Sequence, residues 1–355
     1  LNVSAWGQRL QAQWYGGGAL ATSLRPLAWI YGLLLLLRTQ LYRWGWLRTE
    51  SLPVPVIVVG NWIVGGAGKT PTILALLKQL QAQGFKVGVI SRGYGRADDA
   101  PRLVSRDCTA GQVGDEPLLI HLRSSAPVAV GRDRVAAARL LLQARPDLQI
   151  LLSDDGLQHL RLPRDLAVLL FDERGLGNGQ LLPAGPLRQA TSRHLAPHEL
   201  VLYNAASPST LLPGYLAQRS LAGAVSLADW WRGEPAKIET LKALRGRPVL
   251  ATAGMAHPQR FFDMLSDAGL TIEPIPLADH FDFSSLPWQS VSYAGMEDVL
   301  LTEKDAVKLQ PERCQGMRVW VVALDFSPEQ AFQQAVQARV ERLLRPANNL
   351  TPKNG

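Results

Sequence analysis

Short runs of Val, Ile and Leu recur along this chain, each followed by a longer stretch whose apolar residues fall at helical spacing. Val56–Val59 is the first such run. Between Thr70 and Gln83, Ile73, Leu74, Leu76, Leu77 and Leu80 then predict one face of a helix, and Gly84 predicts its end. Val87–Ile90, Val128–Val130 and Ile150–Leu152 predict further strands, as do segments near Val249–Thr252, Ile272–Ile275 and Val319–Val322. Strand and helix patterns that alternate in this way predict an α/β fold with a mostly parallel sheet and helices on both faces. A chain of 355 residues is long enough for two domains. We expect a hydrophobic helical segment over 1–49, a larger domain over 50–200, a smaller α/β domain over 201–345 and a loose polar tail over 346–355. Pro/Gly-rich loops run through 174–235, so the boundary near 200 is set only coarsely. No internal repeat is visible.

The apolar pattern near the N-terminus differs from the rest. Leu27–Leu37 is almost uninterrupted, Arg25, Arg38, Arg43 and Arg48 flank it, and Trp6, Trp14, Trp29, Trp44 and Trp46 lie around it. Eleven helical residues span about 16 Å, roughly half of a ~30 Å hydrocarbon core. The run is therefore too short to cross a bilayer comfortably, and its arginines and aromatics suit a helix that dips into one leaflet. A hydrophobic helix packed on the protein core is the alternative. A signal peptide fits poorly, because the run lies late and no small-residue cleavage site follows it.

Composition narrows the field further. Hydrophobic residues make up 47% of the chain, which supports a sizeable core. Cys108 and Cys314 have no metal-ligand spacing and fit a reducing compartment. A net charge of +7 suits nucleic acid, an anionic membrane face or an anionic substrate. No finger or RNP motif occurs, and no basic cluster is interleaved with stacking aromatics, so nucleic acid is not expected.

The candidate chemistry begins directly after the first predicted strand. Gly60–Pro71 reads as a glycine-rich turn closing on Gly-Lys-Thr, a cradle for nucleotide phosphates. Ile63, Val64, Gly65, Gly66, Ala67, Gly68, Lys69 and Thr70 form the candidate loop, with Lys69 toward the β- and γ-phosphates and Thr70 toward Mg²⁺. The strict P-loop spacing places glycine six residues before the lysine, where this chain has Ile63. Arg92 follows a predicted parallel strand, on the edge where ligands bind; facing phosphate and lying in a surface turn both fit it. Asp115 and Glu116 sit at a loop-to-helix junction. Taken alone they read as helix capping, and in a phosphoryl-transfer site one such acid orients and deprotonates an acceptor hydroxyl. Arg132 and Arg134 open another helical pattern, with phosphate contact or solvation equally open. Asp154 and Asp155 end the strand Ile150–Leu152, as the metal acids of a P-loop site do.

In this order the motifs resemble the tetraacyldisaccharide 4′-kinase family of the lipid A pathway. The resemblance rests on GNWIVGGAGKTP (60–71), ISRGYG (90–95), VGDEP (113–117), SDDGLQH (153–159), FDERGLGNGQLLPAGPLR (171–188), AGMAHPQRFF (253–262), DHFDFS (279–284) and LTEKDAVKL (301–309). The GNGQLLPAGPLR and TEKDAVK stretches are far more specific than the loop itself. The resemblance implies a P-loop NTPase-like kinase domain, a smaller α/β domain and an N-terminal membrane-associated helix. It implies ATP and Mg²⁺ as cofactors, and transfer of the γ-phosphate to the 4′-hydroxyl of an acylated glucosamine disaccharide 1-phosphate. The implied setting is the cytoplasmic face of the inner membrane of a Gram-negative bacterium, with no protein partner evident. By motif match, Asp115 acts with His280 on the hydroxyl, Lys69 and Thr70 serve phosphate and metal, and Asp154 and Asp155, with Glu116, lie near the metal. Gln189 stands where the family commonly has an acid, and Ile63 where it has a small hydroxyl residue.

An unperturbed aspartate is a weak base near neutral pH, so a nearby histidine that shares the proton makes chemical sense of Asp115. By pattern alone His280 is an ordinary loop histidine. With Asp115 in the first expected domain and His280 in the second, their meeting implies a site in an interdomain cleft that closes on ATP. A nucleotide-driven conformational switch is the competing class. A guanine-nucleotide version of it lacks support, because Thr302-Glu303-Lys304-Asp305 has the letters of a base-reading motif in the wrong order.

Overall fold

The computed structural model describes residues 5–96, 98–255, 257–289, 296–314 and 316–345, so the expected tail over 346–355 lies outside the described residues. The chain forms two compact units that are interleaved in sequence. Leu1–Ile90, Leu142–Gln218 and Pro328–Gly355 make the first, and Ser91–Leu141 with Arg219–Ser327 make the second. This differs from a linear division at residue 200, because 91–141 packs with the later segment. Arg123 is ion-paired with Glu303, Trp230 Nε1 donates to Glu303 at 3.0 Å, and Arg106 donates to the Trp231 carbonyl at 2.7 Å.

The first unit is built on a parallel sheet. Val56–Gly60 lies between Ile150–Asp154 and Leu166–Asp172, with Val87–Ser91 outside the former and Glu199–Asn204 outside the latter. Tyr215–Ser226 begins alongside Glu199–Asn204 through Leu202 and Tyr203. The strands Val56–Gly60, Val87–Ser91, Ile150–Asp154 and Leu166–Asp172 are buried at every position. Both faces are thus covered, which is why these strands read as continuous apolar runs rather than alternating ones. Helix Lys69–Ala82 buries Ile73, Leu76, Leu77 and Leu80, and Gly84, at φ +84°, takes the left-handed turn that ends it.

The N-terminal region divides its apolar residues between two uses. Leu10, Trp14 and Ala21 are buried, with Val64 and Leu182 packed against them, so part of this region is core. Helix Arg25–Arg43 instead leaves Leu27, Trp29, Ile30, Leu33, Leu34, Leu36 and Leu37 exposed, Trp29 at 72% and Leu33 at 65%. Among the described residues no helix is long and apolar enough to cross a membrane.

In the second unit Thr271–Pro276, Pro248–Ala253, Asp298–Thr302 and Arg318–Pro328 pair in that order, all parallel. The strands expected near 249–252, 272–275 and 319–322 are these. Helix Gln259–Asp267 buries Phe261, Phe262 and Leu265 in a cluster with Val249, Ala251, Leu300 and Val322. Arg102–Leu103 and Val128–Val130 add a short antiparallel pair.

Candidate active site

In the first unit the glycine-rich loop joins strand Val56–Gly60 to helix Lys69–Ala82. Three side chains hold its carbonyls. Asn61 Nδ2 donates to Gly65 O at 2.9 Å, Arg174 Nη2 to Gly66 O at 2.8 Å and Asn204 Nδ2 to Ala67 O at 2.9 Å. Arg174 is itself fixed by Asp172, whose carboxylate it meets at 2.8–3.0 Å. Ile63 is wholly buried and bridged to Leu187, and the Val64 N–H donates to Pro186 O at 2.9 Å. Neither Ile63's side chain nor Val64's amide is therefore turned to a ligand. The loop's departure from strict spacing is the point where it is strapped to the 181–188 segment, so Ile63 and Val64 serve the loop's shape while the later residues stay open.

The remaining loop fits a polyphosphate. Gly65 and Gly68 lie at φ +95° and +94°, where a side chain would be strained, and nothing approaches within 4 Å of where a Cβ on Gly66 would stand. Among the described residues no protein acceptor meets the amides of Gly66, Ala67, Gly68 or Lys69. The helix that follows carries no acid in its first turn and no side-chain cap. Free amides at an uncapped helix start attract an anion.

Lys69 Nζ lies 3.4 Å from Asn61 Oδ1 and 3.9 Å from Asp155 Oδ1. Asp155 sits at φ +50° and receives Arg188 through both oxygens, at 2.8 and 3.0 Å. Arg188 also donates to Asn61 O and Oδ1, at 2.6 and 2.7 Å, so one guanidinium ties the acid to the start of the loop. Asp154 is buried at the end of its strand, in register with Val59, and Thr70 is half-buried in the helix's first turn. Among the described residues no group of three or more His, Cys, Asp or Glu forms a metal cluster. A hydroxyl, an adjacent acid and phosphate oxygens are the donors a nucleotide-borne Mg²⁺ takes, and Thr70 with the Asp154–Asp155 turn would be the protein groups of that kind to hold it.

The second unit holds the other predicted residues. Asp115 opens helix Asp115–Ser124, and His280 lies in the loop after strand Thr271–Pro276. His280 Nδ1 is 2.9 Å from Asp115 Oδ2, while Asp115 Oδ1 accepts the Glu116 N–H at 2.9 Å. Both residues belong to this one unit, which corrects the expectation that they come from separate domains; the interleaving of 91–141 is the reason. Lys304 Nζ stands 3.2 Å from Asp279, 3.7 Å from Glu116, 4.0 Å from Asp115 and 3.5 Å from His280 Nε2. The Tyr94 ring packs 5.5 Å from the His280 ring. Glu116, read from sequence as a metal acid, thus faces Lys304. Arg92 is exposed and has no side-chain partner among the described residues; Arg132 pairs with Asp99 on the surface, and Arg134 is buried with bonds to the Gly131 and Arg132 carbonyls.

Burial pushes the Asp115 carboxyl up, but the His280 hydrogen bond and the charge of Lys304 outweigh it and leave the group below its ordinary 3.8. The bond to Asp115 raises His280 above 6.5, against burial and Lys304. Burial lowers Lys304, and the charges of Glu116, Asp115 and Asp279 overcome it to give a raised value. His280's stabilisation is therefore fully present below 6.5 and lost as pH rises through its raised value. That of Asp115 is present above 3.8 and lost as pH falls through its lowered value. We expect the melting temperature of His280→Asn to lie furthest below that of the parent between those limits. The gap should shrink as pH rises through the raised value and the parent's imidazolium is lost. A gap that widens with alkaline pH would reverse the sign.

Arg188, Asn61, Arg174, Asp279, Tyr94 and Lys304 join these clusters without having been selected from sequence. All six lie inside the motifs quoted above, Asn61 in 60–71, Tyr94 in 90–95, Arg174 and Arg188 in 171–188, Asp279 in 279–284 and Lys304 in 301–309, and the specific PLR and TEKD stretches were the strongest of these signals.

A model of the tetraacyldisaccharide-1-P 4′-kinase family matches residues 20–341. The tetraacyldisaccharide 4′-kinase of Methylibium petroleiphilum is 54% identical over 339 residues, 94% of each chain. That of Leptothrix cholodnii is 53% identical over 328 residues, 91% of this chain and 93% of the relative. A crystal structure of LpxK from Aquifex aeolicus in complex with ATP matches with a TM-score of 0.75 at 27% identity, covering 92% of this chain and 99% of that one. A match running through both units and both residue clusters leaves one conclusion: the chain belongs to the tetraacyldisaccharide-1-P 4′-kinase family.

Proposed function

We propose that this chain transfers the γ-phosphate of ATP to the 4′-hydroxyl of a tetraacylated glucosamine disaccharide 1-phosphate, forming the bis-phosphorylated lipid A precursor of lipopolysaccharide synthesis. The observation that carries the reading is the Asp115–His280 pair at 2.9 Å, a carboxylate backed by an imidazole in a chain of this family. Asp115 orients the sugar hydroxyl and takes its proton, and the His280 N–H bonded to Oδ2 holds the carboxylate in place for that work. Phosphoryl transfer has a loose transition state that demands little early deprotonation, so orientation is the larger part of Asp115's work. Lys69 and the loop amides offset charge on the β- and γ-phosphates. Thr70 and an acid of the Asp154–Asp155 turn would hold Mg²⁺, which supplies further charge neutralisation when bound. Arg188 keeps Asp155 and Asn61 in place beside Lys69.

The working place we assign is the cytoplasmic face of the inner membrane, reached through helix Arg25–Arg43. Its exposed Trp29, Leu33, Leu34 and Leu36 form an apolar face with arginines at both ends, suited to one leaflet. On another side of the same helix, Tyr31 Oη donates to Arg188 O at 3.0 Å, so the helix is tied to the segment that serves the loop.

One experiment tests both parts. γ-Labelled ATP is supplied with acylated disaccharide 1-phosphate in anionic vesicles, using the parent and a Trp29→Glu, Leu33→Glu variant. Label should enter lipid, with little hydrolysis when lipid is absent. The variant should act poorly on vesicles yet bind ATP like the parent. Hydrolysis indifferent to lipid would favour the nucleotide-driven switch instead, and equal vesicle activity in the variant would remove the membrane face.

A further inference from the structure

We propose that Lys304 is a positioning residue for the Asp115–His280 pair, holding Asp115, Glu116, Asp279 and the His280 ring in one arrangement. The proposal rests on the reading of that pair as the hydroxyl-activating group. It accounts for the 302–308 stretch, among the most distinctive in the sequence and so far without a task.

The stretch is a built turn. Thr302 Oγ1 caps helix Glu303–Ala306 by accepting the Asp305 N–H, and donates to Asp305 Oδ2 at 2.8 Å. Asp305 is wholly buried; its Oδ2 also accepts the Gly254 N–H at 3.0 Å and its Oδ1 meets Lys308 at 3.1 Å. Lys308 Nζ then donates to Phe281 O at 2.9 Å and sits 5.5 Å over the Phe283 ring. Glu303 is engaged by Arg123 and Trp230. Each of these side chains fixes the turn or ties it to the loop that carries His280. That loop needs tying, because His280 and Phe283 both adopt left-handed φ, +60° and +55°, which non-glycine residues hold only under support.

Lys304 alone of the turn reaches the reactive pair. Its ammonium lies among three carboxylates, at 3.2, 3.7 and 4.0 Å, and 3.5 Å from His280 Nε2. An ammonium has donors and no acceptor, so Nε2 must accept in that contact. The neutral ring's proton then sits on Nδ1, facing Asp115. One side chain thereby supports the tautomer that the Asp115 carboxylate requires and draws Asp115, Glu116 and Asp279 to a common point. An incidental surface ion pair would do neither.

The test uses the full chain with Lys304→Met, Lys304→Gln and Lys304→Arg, and Lys304→Met combined with His280→Ala. Label transfer to lipid is measured with each substrate varied, and thermal melting checks the fold. Lys304→Met should lower kcat by about 10- to 100-fold while KM for ATP stays near the parent's. Lys304→Arg should restore most of the rate. In the His280→Ala background Lys304→Met should cost little more, since its effect runs through the pair. Parent-like kcat in both Lys304→Met and Lys304→Gln would overturn the proposal. So would a loss of equal size without His280, or one confined to KM for the lipid. If Asp115→Ala is inactive while Lys304→Met is parent-like, only the positioning role fails; a parent-like Asp115→Ala removes the reading beneath it.

Discussion

Asp115→Ala is expected to lose about 10²- to 10⁴-fold in kcat, the range spanned by a positioned acid–base group, while still binding ATP. The charge at this position is set by its surroundings. The carboxylate keeps its proton off more readily than usual because His280 donates to Oδ2 and Lys304 stands nearby, and together these outweigh burial. Such a group stays an anion, the form that the proposed role of receiving and aiming a hydroxyl requires. Asp115 also accepts the Glu116 N–H at 2.9 Å, so alanine removes a local bond at the helix start. Asp115→Asn separates the two effects, because the amide oxygen can still accept that N–H while the charge and the acceptor facing His280 are lost. Both variants should fail in transfer of label to lipid while nucleotide binding, measured directly by calorimetry, stays near the parent's. Near-normal turnover in either would sink the assignment.

Lys69→Ala is expected to weaken ATP use and cut turnover by about 10²- to 10³-fold, as loss of a preorganised cation or donor at developing charge does. The fold should survive the change. Lys69 contributes only a 3.4 Å contact to Asn61 and a 3.9 Å ion pair to Asp155, and both partners remain held by Arg188. The three bonds that hold the loop carbonyls come from Asn61, Arg174 and Asn204 and do not involve Lys69. A melting temperature near the parent's with a collapsed rate would locate the defect in phosphate handling. A rate within a few-fold of the parent's would mean that the cradle is elsewhere.

These two residues became visible by different routes. Lys69 is legible from local pattern, because a strand, a glycine turn and a helix start are contiguous and phosphate binding follows from their order. Asp115 alone reads equally well as a helix cap, and His280 as an ordinary loop residue; only resemblance to a family joined them. They lie 165 residues apart, and no periodicity reports a pairing at that distance. The same limit hid Arg188, which meets Asp155 across 33 residues and Asn61 across 127. Ile63 was the loop's unexplained residue for a related reason. Its bridge to Leu187 lies outside the motif, so the sequence marks an irregularity without marking what fills it.

The sequence by itself determined the parallel α/β character, the strands and helices that frame the glycine loop, the apolar, arginine-flanked N-terminal run and the family. These follow from short-range periodicity and from contiguous motifs. Tertiary structure decided that 91–141 packs with 219–327, which puts Asp115 and His280 in one unit, and that Lys304 gathers three carboxylates around them. It also divided the N-terminal apolar residues between a buried cluster and an exposed helix face. The physical reason is common to all three. Burial and charge pairing are set by which distant segments pack together, and a linear pattern records only what each segment prefers next to its neighbours.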